Sequence, residues 1–269
     1  MIRPRRKEDK EFDMNILEHN RLAWNQEVKS GNVWTIPVKK DELDTAAKGE
    51  YKIVLTPYKP VPKYWLGDVL GKNILCLASG GGQQGPILAA AGGHVTVFDN
   101  SDEQLKKDEE VAEEYKLEIE TVQGNMQDLS CFTDSMFDLI IHPVSNCFID
   151  DILPVWRESY RVLKENGSLL SGFSNPIIYM IDWDVAEETR RCELRYSIPY
   201  SDIESLSPKM KQKYIQEKTP FEFGHTLTDQ IQGQIEAGFT IAGFYEDKGE
   251  ELFDQFTEIF IATRAIKIS

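Results

Sequence analysis

The sequence predicts an α/β fold built on a parallel, doubly wound sheet. Three observations carry that reading. Short apolar runs alternate with amphipathic stretches between residues 73 and 173. Glycine-containing stops, Gly92-Gly93, Asn166-Gly167 and Gly238, punctuate the pattern. One apolar run also enters three successive glycines, Gly80 to Gly82, ahead of a helical stretch. Strands alternating with helices at this spacing favour parallel pairing, because each return to the same sheet edge needs a crossover helix.

The elements follow in order. Residues 11 to 30 read as a helix: Phe12, Ile16, Leu17, Trp24 and Val28 recur at near-helical spacing and Gly31 stops it. Residues 31 to 62 carry prolines and short β-like pieces such as Tyr51 to Leu55, and residues 63 to 70 form a short helix closed by Gly71. Asn73 to Ala78 is a buried strand, Gln83 to Ala91 a helix, and His94 to Asp99 a second strand. Ser101 to Tyr115 is a charged amphipathic helix with Ser101 as its N-cap. Glu118 to Gln123 and Met136 to His142 are the third and fourth strands; Ile152 to Lys164 is a helix, and Ser168 to Phe173 the fifth strand. Residues 176 to 220 interrupt the alternation with Tyr179, Trp183, Tyr196 and Tyr200 and then a charged segment. A helix from Thr226 to Ala237 and two strands, Phe239 to Tyr245 and Glu258 to Thr263, close the chain.

Composition narrows the function. The chain has 269 residues and a formal net charge of −15. A general nucleic-acid binder needs a basic footprint to neutralise phosphates, so a small-molecule substrate fits better. No apolar run approaches the ~20 residues of a membrane helix. The start, MIRPRRKEDKEF, lacks the apolar stretch of a secretory signal and reads as a solvated basic tail. Cys76, Cys131, Cys147 and Cys192 form no close pair of the metal-binding kind. They read as free thiols, which predicts a cytoplasmic protein without a metal.

The stretch ILCLASGGGQQG, Ile74 to Gly85, carries the most chemistry. Glycines let the backbone turn sharply and clear the space a ligand needs, while free amides of the following helix point at that ligand. Asp99 ends the next strand 19 positions after Gly80. A carboxylate there accepts hydrogen bonds from ribose hydroxyls, so a ribose-bearing cofactor is indicated. Gly80, Gly82 and Gly85 also satisfy G-x-G-x-x-G, and Tyr160 and Lys164 form a Y-x-x-x-K pair, which leaves an NAD(P)-dependent oxidoreductase as an alternative. Tyr160, however, precedes the fifth strand, whereas the dehydrogenase tyrosine follows it.

Motif by motif, residues 73 to 176 resemble the class I S-adenosylmethionine (SAM)-dependent methyltransferases. ASGGG (Ala78 to Gly82) resembles the family's G-x-G-x-G loop, and VTVFDNS (Val95 to Ser101) its ribose motif. GNMQDL (Gly124 to Leu129) resembles its adenine motif, and FDLIIHPVSN (Phe137 to Asn146) the mouth of the site. YRVLKENGSLL (Tyr160 to Leu170) resembles the helix and fifth strand, and EAGF (Glu236 to Phe239) the start of the closing hairpin. LASGGGQQGP with the DNS and HPVSN stretches is similar to an uncharacterised bacterial subgroup, which also carries N-R-x-x-W-N, here Asn20, Arg21, Trp24 and Asn25.

The resemblance implies a Rossmann-like, seven-stranded, mostly parallel sheet with a C-terminal antiparallel hairpin. It implies an N-terminal extension or lid (1–62), a SAM-binding core (63–175), an inserted substrate cap (176–220) and a completion of the sheet (221–269). Ala78, Ser79, Gly80, Gly81, Gly82 and Gln84 would surround the methionine portion. Asp99, with Asn100, Ser101 or Gln104 nearby, would take the ribose, and Asn125 and Met126 would flank the adenine. Trp24, His142 and Pro143 would complete the pocket. His142 and Asn146 are candidates for accepting the acceptor's proton and orienting it. Three positions depart from the family pattern. Ala78 replaces a glycine, which requires an ordinary negative φ there. Cys76 replaces an acid that commonly reaches the methionine ammonium through water or a loop residue, and Asn125 replaces an acid at the adenine. These departures motivate a second reading, a non-catalytic SAM-binding protein.

Overall fold

A computed structural model describes residues 15–249 and 252–268; the basic tail and Phe12 lie outside the described residues. In chain order, α1 (Ile16–Ser30) begins at the N-cap Asn15, whose side chain accepts from the Glu18 amide, and Gly31 ends it with φ +77. Then come α2 (Lys40–Ala46), which the sequence reading missed, and α3 (Lys63–Leu66). The core follows as β1 (Asn73–Leu77), α4 (Gln84–Ala90), β2 (His94–Asp99), α5 (Asp102–Tyr115), β3 (Ile119–Gln123), β4 (Phe137–His142), α6 (Leu153–Val162) and β5 (Leu163–Ser174). Residues 176 to 220 hold a 3₁₀ turn, α7 (Trp183–Thr189), β6 (Tyr200–Ser201), α8 (Asp202–Ser205) and α9 (Pro208–Glu217). β7 (Phe223–Gly224) pairs back onto β6; α10 (Gly233–Glu236), β8 (Phe239–Asp247) and β9 (Phe260–Lys267) finish the chain.

The seven-stranded sheet has the order β3-β2-β1-β4-β5-β9-β8. β1 to β5 pair in parallel, and β9 and β8 run antiparallel. Side chains alternate between faces with period two. Ile74 and Cys76 of β1 join Val97, Ile141 and Trp65 on one face, whereas Leu75 and Leu77 join Phe137, Ile140 and Trp156 on the other. Both faces are covered, which is why the central strands read as unbroken apolar runs.

Four expectations shift. The helix before the fifth strand stops at Val162, not Lys164, because Leu163 pairs with Phe137 and so begins β5 five residues early. Asn166, at φ +64, lies inside β5 at the register shift between Phe137 and Leu139 rather than ending a helix. Tyr51 to Leu55 forms no strand; a single bridge joins Val54 to Pro60. The helix expected from Thr226 opens as a π turn, Thr228–Gln232, before α10. Among the described residues no helix is long and apolar enough to cross a membrane.

Candidate active site

A cavity of about 340 Å³ lies where the parallel strands end. Its wall takes Ala78 after β1, Asp99 ending β2, Asn125 and Met126 after β3, Pro143 after β4 and Ser174 ending β5. That volume is within the range of small-molecule sites, and the carboxyl edge of such a sheet is where they form.

The turn out of β1 sets the geometry. The Ala78 amide donates to Phe98 O at 2.7 Å, and the residue takes φ +47. The ordinary φ expected for it is thus overturned: closing the turn against β2 forces a left-handed backbone on a residue with a Cβ, at a cost of roughly 1–2 kcal/mol. Ala78→Gly is therefore expected to raise stability by up to about 1 kcal/mol after glycine's larger unfolded-state entropy is subtracted. Thermal denaturation should show a higher midpoint; a lower one would mean that the methyl packing outweighs the strain.

The next residues divide into two groups. Ser79 is buried with its hydroxyl unpartnered among the described residues, and the Gly80 amide donates to Asp99 Oδ2 at 3.0 Å. A Cβ on Gly80 would come within 2.8 Å of Gln104 Cβ, so the chain needs a bare backbone here. Gly81 and Gly82, in contrast, do not line the cavity, which corrects their expected role. Their amides donate to Asp108 Oδ2 at 2.9 and 3.1 Å, and their open faces receive Trp34 and Pro37. Gln84 does reach the cavity wall, where its Oε1 accepts from the Val54 amide at 3.4 Å.

Asp99 is buried at the cavity wall. Burial raises its pKa, while the amides of Ser101 and Gly80 pull it back. Each carboxylate oxygen accepts one of those amides, so lone pairs remain for further donors. Asn100 lines the cavity with its amide nitrogen tied to Leu17 O. Gln104 lines it with Oε1 buried and without a partner among the described residues. Ser101 does not: its hydroxyl caps α5 and donates to Asn25 Oδ1 at 2.7 Å, a second correction.

His142 and Asn146 are the third correction. Neither lines the cavity, and His142 is fully buried. Its Nδ1 bonds Leu77 O at 2.9 Å and its Nε2 bonds Asn146 Oδ1 at 2.5 Å. Burial lowers its pKa, while the two acceptor oxygens, the Leu77 carbonyl and Asn146 Oδ1, pull it the other way. Asn146 in turn donates to Gln230.

Leu17, Asn20 and Trp24 of α1 also line the cavity. Asn20 donates to Phe148 O and Phe221 O and accepts from the Phe221 amide. Arg21 and Asn25 both bind Asp102 at the start of α5, and Trp24 lines the cavity edge-on to Phe148. All four residues of N-R-x-x-W-N therefore pin α1 over the site.

The sequence places this geometry in a family. A family model described as a methyltransferase domain matches residues 75–171. An uncharacterized methyltransferase of Bacillus subtilis is 49% identical over 253 residues, covering 94% of this chain and 99% of that protein. The chain belongs to the SAM-dependent methyltransferases. Solved structures share the fold. A Mesorhizobium loti SAM-dependent methyltransferase gives a TM-score of 0.57 at 16% identity, over 76% of this chain and 94% of its own. The Burkholderia thailandensis 1,6-didemethyltoxoflavin-N1-methyltransferase, solved with that substrate and S-adenosylhomocysteine, gives 0.57 at 12% identity, over 100% and 94%.

Two features of the candidate site escaped the sequence reading. Asp108 occupies the buried stripe of α5 together with Leu105 and Val111, and it binds the glycine loop from below. A carboxylate in an apolar stripe was the available signal. The second is Glu222, which lines the cavity beside Tyr179. Its signal was a carboxylate alternating with two phenylalanines in Phe221-Glu222-Phe223.

Proposed function

We propose that this methyltransferase transfers the methyl group of SAM to a small, largely apolar acceptor inside the cavity. Residues 1–62 act as its lid and 176–220 as its substrate cap, around a core of 63–175 completed by 221–269. The observation that carries this reading is the group of unsatisfied polar atoms on the wall of a largely apolar cavity. Ser79 Oγ and Gln104 Oε1 are buried without partners among the described residues, and Asp99 keeps acceptor capacity beside them. Buried polar groups are costly unless paired, so a ligand with matching donors and acceptors fits this wall. The residues present suit SAM. Asp99 would hold the ribose, Asn125 and Met126 the adenine, and Ser79 and Gly80 the methionine portion, with Trp24 and Pro143 closing over them.

The bound cofactor supplies an electrophilic methyl group. The chain's own task is to orient the acceptor and keep water out. Val144, Phe148, Ile178 and Phe260 give the cavity an apolar wall suited to a small organic body. The net charge of −15 argues against nucleic acid as the acceptor. Calorimetry tests the reading: S-adenosylhomocysteine should bind and NADH should not. Binding of NADH alone would overturn it.

A further inference from the structure

We propose that Glu222 is the general base of this site, and that the acceptor is an apolar small molecule bearing an acidic O–H or ring N–H. The inference rests on the cavity being the place of methyl transfer. Phe221 and Phe223 are buried, and Glu222 between them lines the cavity. Tyr179 donates its phenolic hydrogen to Glu222 Oε2 at 2.9 Å. The Tyr179 ring stacks on Tyr200 at 5.5 Å, and it lies against Gly224 so closely that a Cβ there would come within 2.7 Å. The Glu222 backbone is fixed in both directions to Asp202. Its amide donates to Asp202 Oδ2 at 2.7 Å, and its carbonyl accepts the Asp202 amide at 3.0 Å. The carboxylate is thus held in one place by β7, α8 and the 3₁₀ turn after β5.

Its location fits the task. Ser174, at the end of β5, bears on the Tyr179 hydroxyl. β5 lies three strands from β2, which carries Asp99. At about 4.8 Å per strand, roughly 14 Å of sheet edge separates the two ends, room for the length of a nucleoside and its methionine arm. The groups facing Glu222 are Asp202 from α8, Tyr179 from the 3₁₀ turn and Cys147 from the turn after β4. Burial and the Asp202 charge push Glu222 up to about 7, and the Tyr179 hydrogen bond pulls the other way. A carboxylate poised there takes a proton at neutral pH, which is where a general base is most effective. His142 does not compete, because it is fully buried and does not line the cavity.

The step balances. The acceptor's lone pair forms a bond to the methyl carbon, and the carbon–sulfur bond breaks with its pair going to sulfur. The acceptor's proton passes to the Glu222 carboxylate and leaves to solvent after turnover. Tyr179 is a positioning residue that fixes the carboxylate and lowers its pKa.

The test uses the full chain, carbon-13 NMR of carboxyl-labelled glutamate, and methyl transfer to phenols and benzimidazoles graded in acidity. Wild type minus Glu222→Gln should isolate one carboxyl titrating near pH 7. The variant should bind S-adenosylhomocysteine within about twofold of wild type. It should lose at least roughly 100-fold in transfer to weakly acidic members, which corresponds to the acid–base contribution of a positioned group. The loss should shrink toward 4-nitrophenol, which ionises without help. Phenols against benzimidazoles separate oxygen from nitrogen acceptors. Tyr179→Phe should move the acidic limb of kcat/KM upward. A carboxyl titrating in the ordinary range, an equal loss across the series, or no transfer to any member while S-adenosylhomocysteine binds would each overturn the proposal. So would an acidic limb that Tyr179→Phe leaves in place, should Glu222→Gln not fold. Failure of wild type to bind S-adenosylhomocysteine would instead remove the underlying reading of the cavity.

Discussion

Replacing Asp99 with alanine is expected to weaken S-adenosylhomocysteine binding by two orders of magnitude or more. A carboxylate offers about four acceptor positions, and two are used by the Gly80 and Ser101 amides at 3.0 and 2.9 Å. The remainder can accept two ribose hydroxyls. Charge-assisted hydrogen bonds contribute roughly 1.5–3 kcal/mol each, so losing two costs about 3–6 kcal/mol of affinity. The same substitution strips two amides of their acceptor, and each buried orphan costs about 1–3 kcal/mol of stability. Asp99→Asn separates the two effects. It keeps an acceptor for one amide and should melt closer to wild type, yet lose most of the affinity. Calorimetry and thermal denaturation of both variants check this. If Asp99→Ala binds the ligand normally while folded, the ribose assignment is wrong.

The strand ladder was legible because both faces of the sheet are covered, which turns β1, β2 and β4 into apolar runs bounded by glycine or aspartate. The closing hairpin and the N-cap at Ser101 were legible for similarly local reasons. The interior of 176–220 was not. Its helices are four to ten residues long, and no residue of α9 is buried, so no apolar stripe announces it. Ala78 misled because φ is set by the Phe98 carbonyl it must reach, a long-range demand that residue identity does not display. Gly81 and Gly82 misled differently. Glycine is needed at both, but for the approach of Trp34 and Pro37 and for the left-handed backbone, at φ +113 and +75, rather than for contact with a ligand. His142 stands at the expected strand end, yet the Leu77 carbonyl and Asn146 claim its ring. Position along a strand is readable; the partner of a side chain is not.

The missing acid of β1 leads to the second large effect. Cys76 sits where the family's pattern has an acid, and it is buried in the core with its thiol pushed up by burial. Asp108 supplies a carboxylate from α5 instead, and its Oδ2 accepts the Gly81 and Gly82 amides. Gly81 has a second acceptor in Gln104 O at 3.1 Å, so Gly82 depends on Asp108 more heavily. Asp108 is fully buried, and its Oδ1 has no partner among the described residues. Burial therefore dominates the loop amides and, with the Asp99 charge, pushes the group up to about 7. A carboxyl raised in the folded state from an unfolded value of 3.8 favours folding most when both states are protonated. That contribution is complete below about pH 4 and is lost progressively as pH rises to about 7, at roughly 1.4 kcal/mol per pH unit. Asp108→Asn keeps a carbonyl oxygen for the two amides but cannot titrate. Measured against that variant, wild type should lose about 2 kcal/mol of relative stability between pH 5 and 7, and little more above. For a chain of this size that is on the order of 4–8 °C in the difference between their melting temperatures. Other groups that titrate near neutrality, Glu222 among them, are common to both proteins and cancel in the difference. Were wild type to gain on the variant as pH rises, the loop amides would be stabilising the anion by more than burial costs it. The glycine loop would then rest on a charged support rather than on a neutral acid.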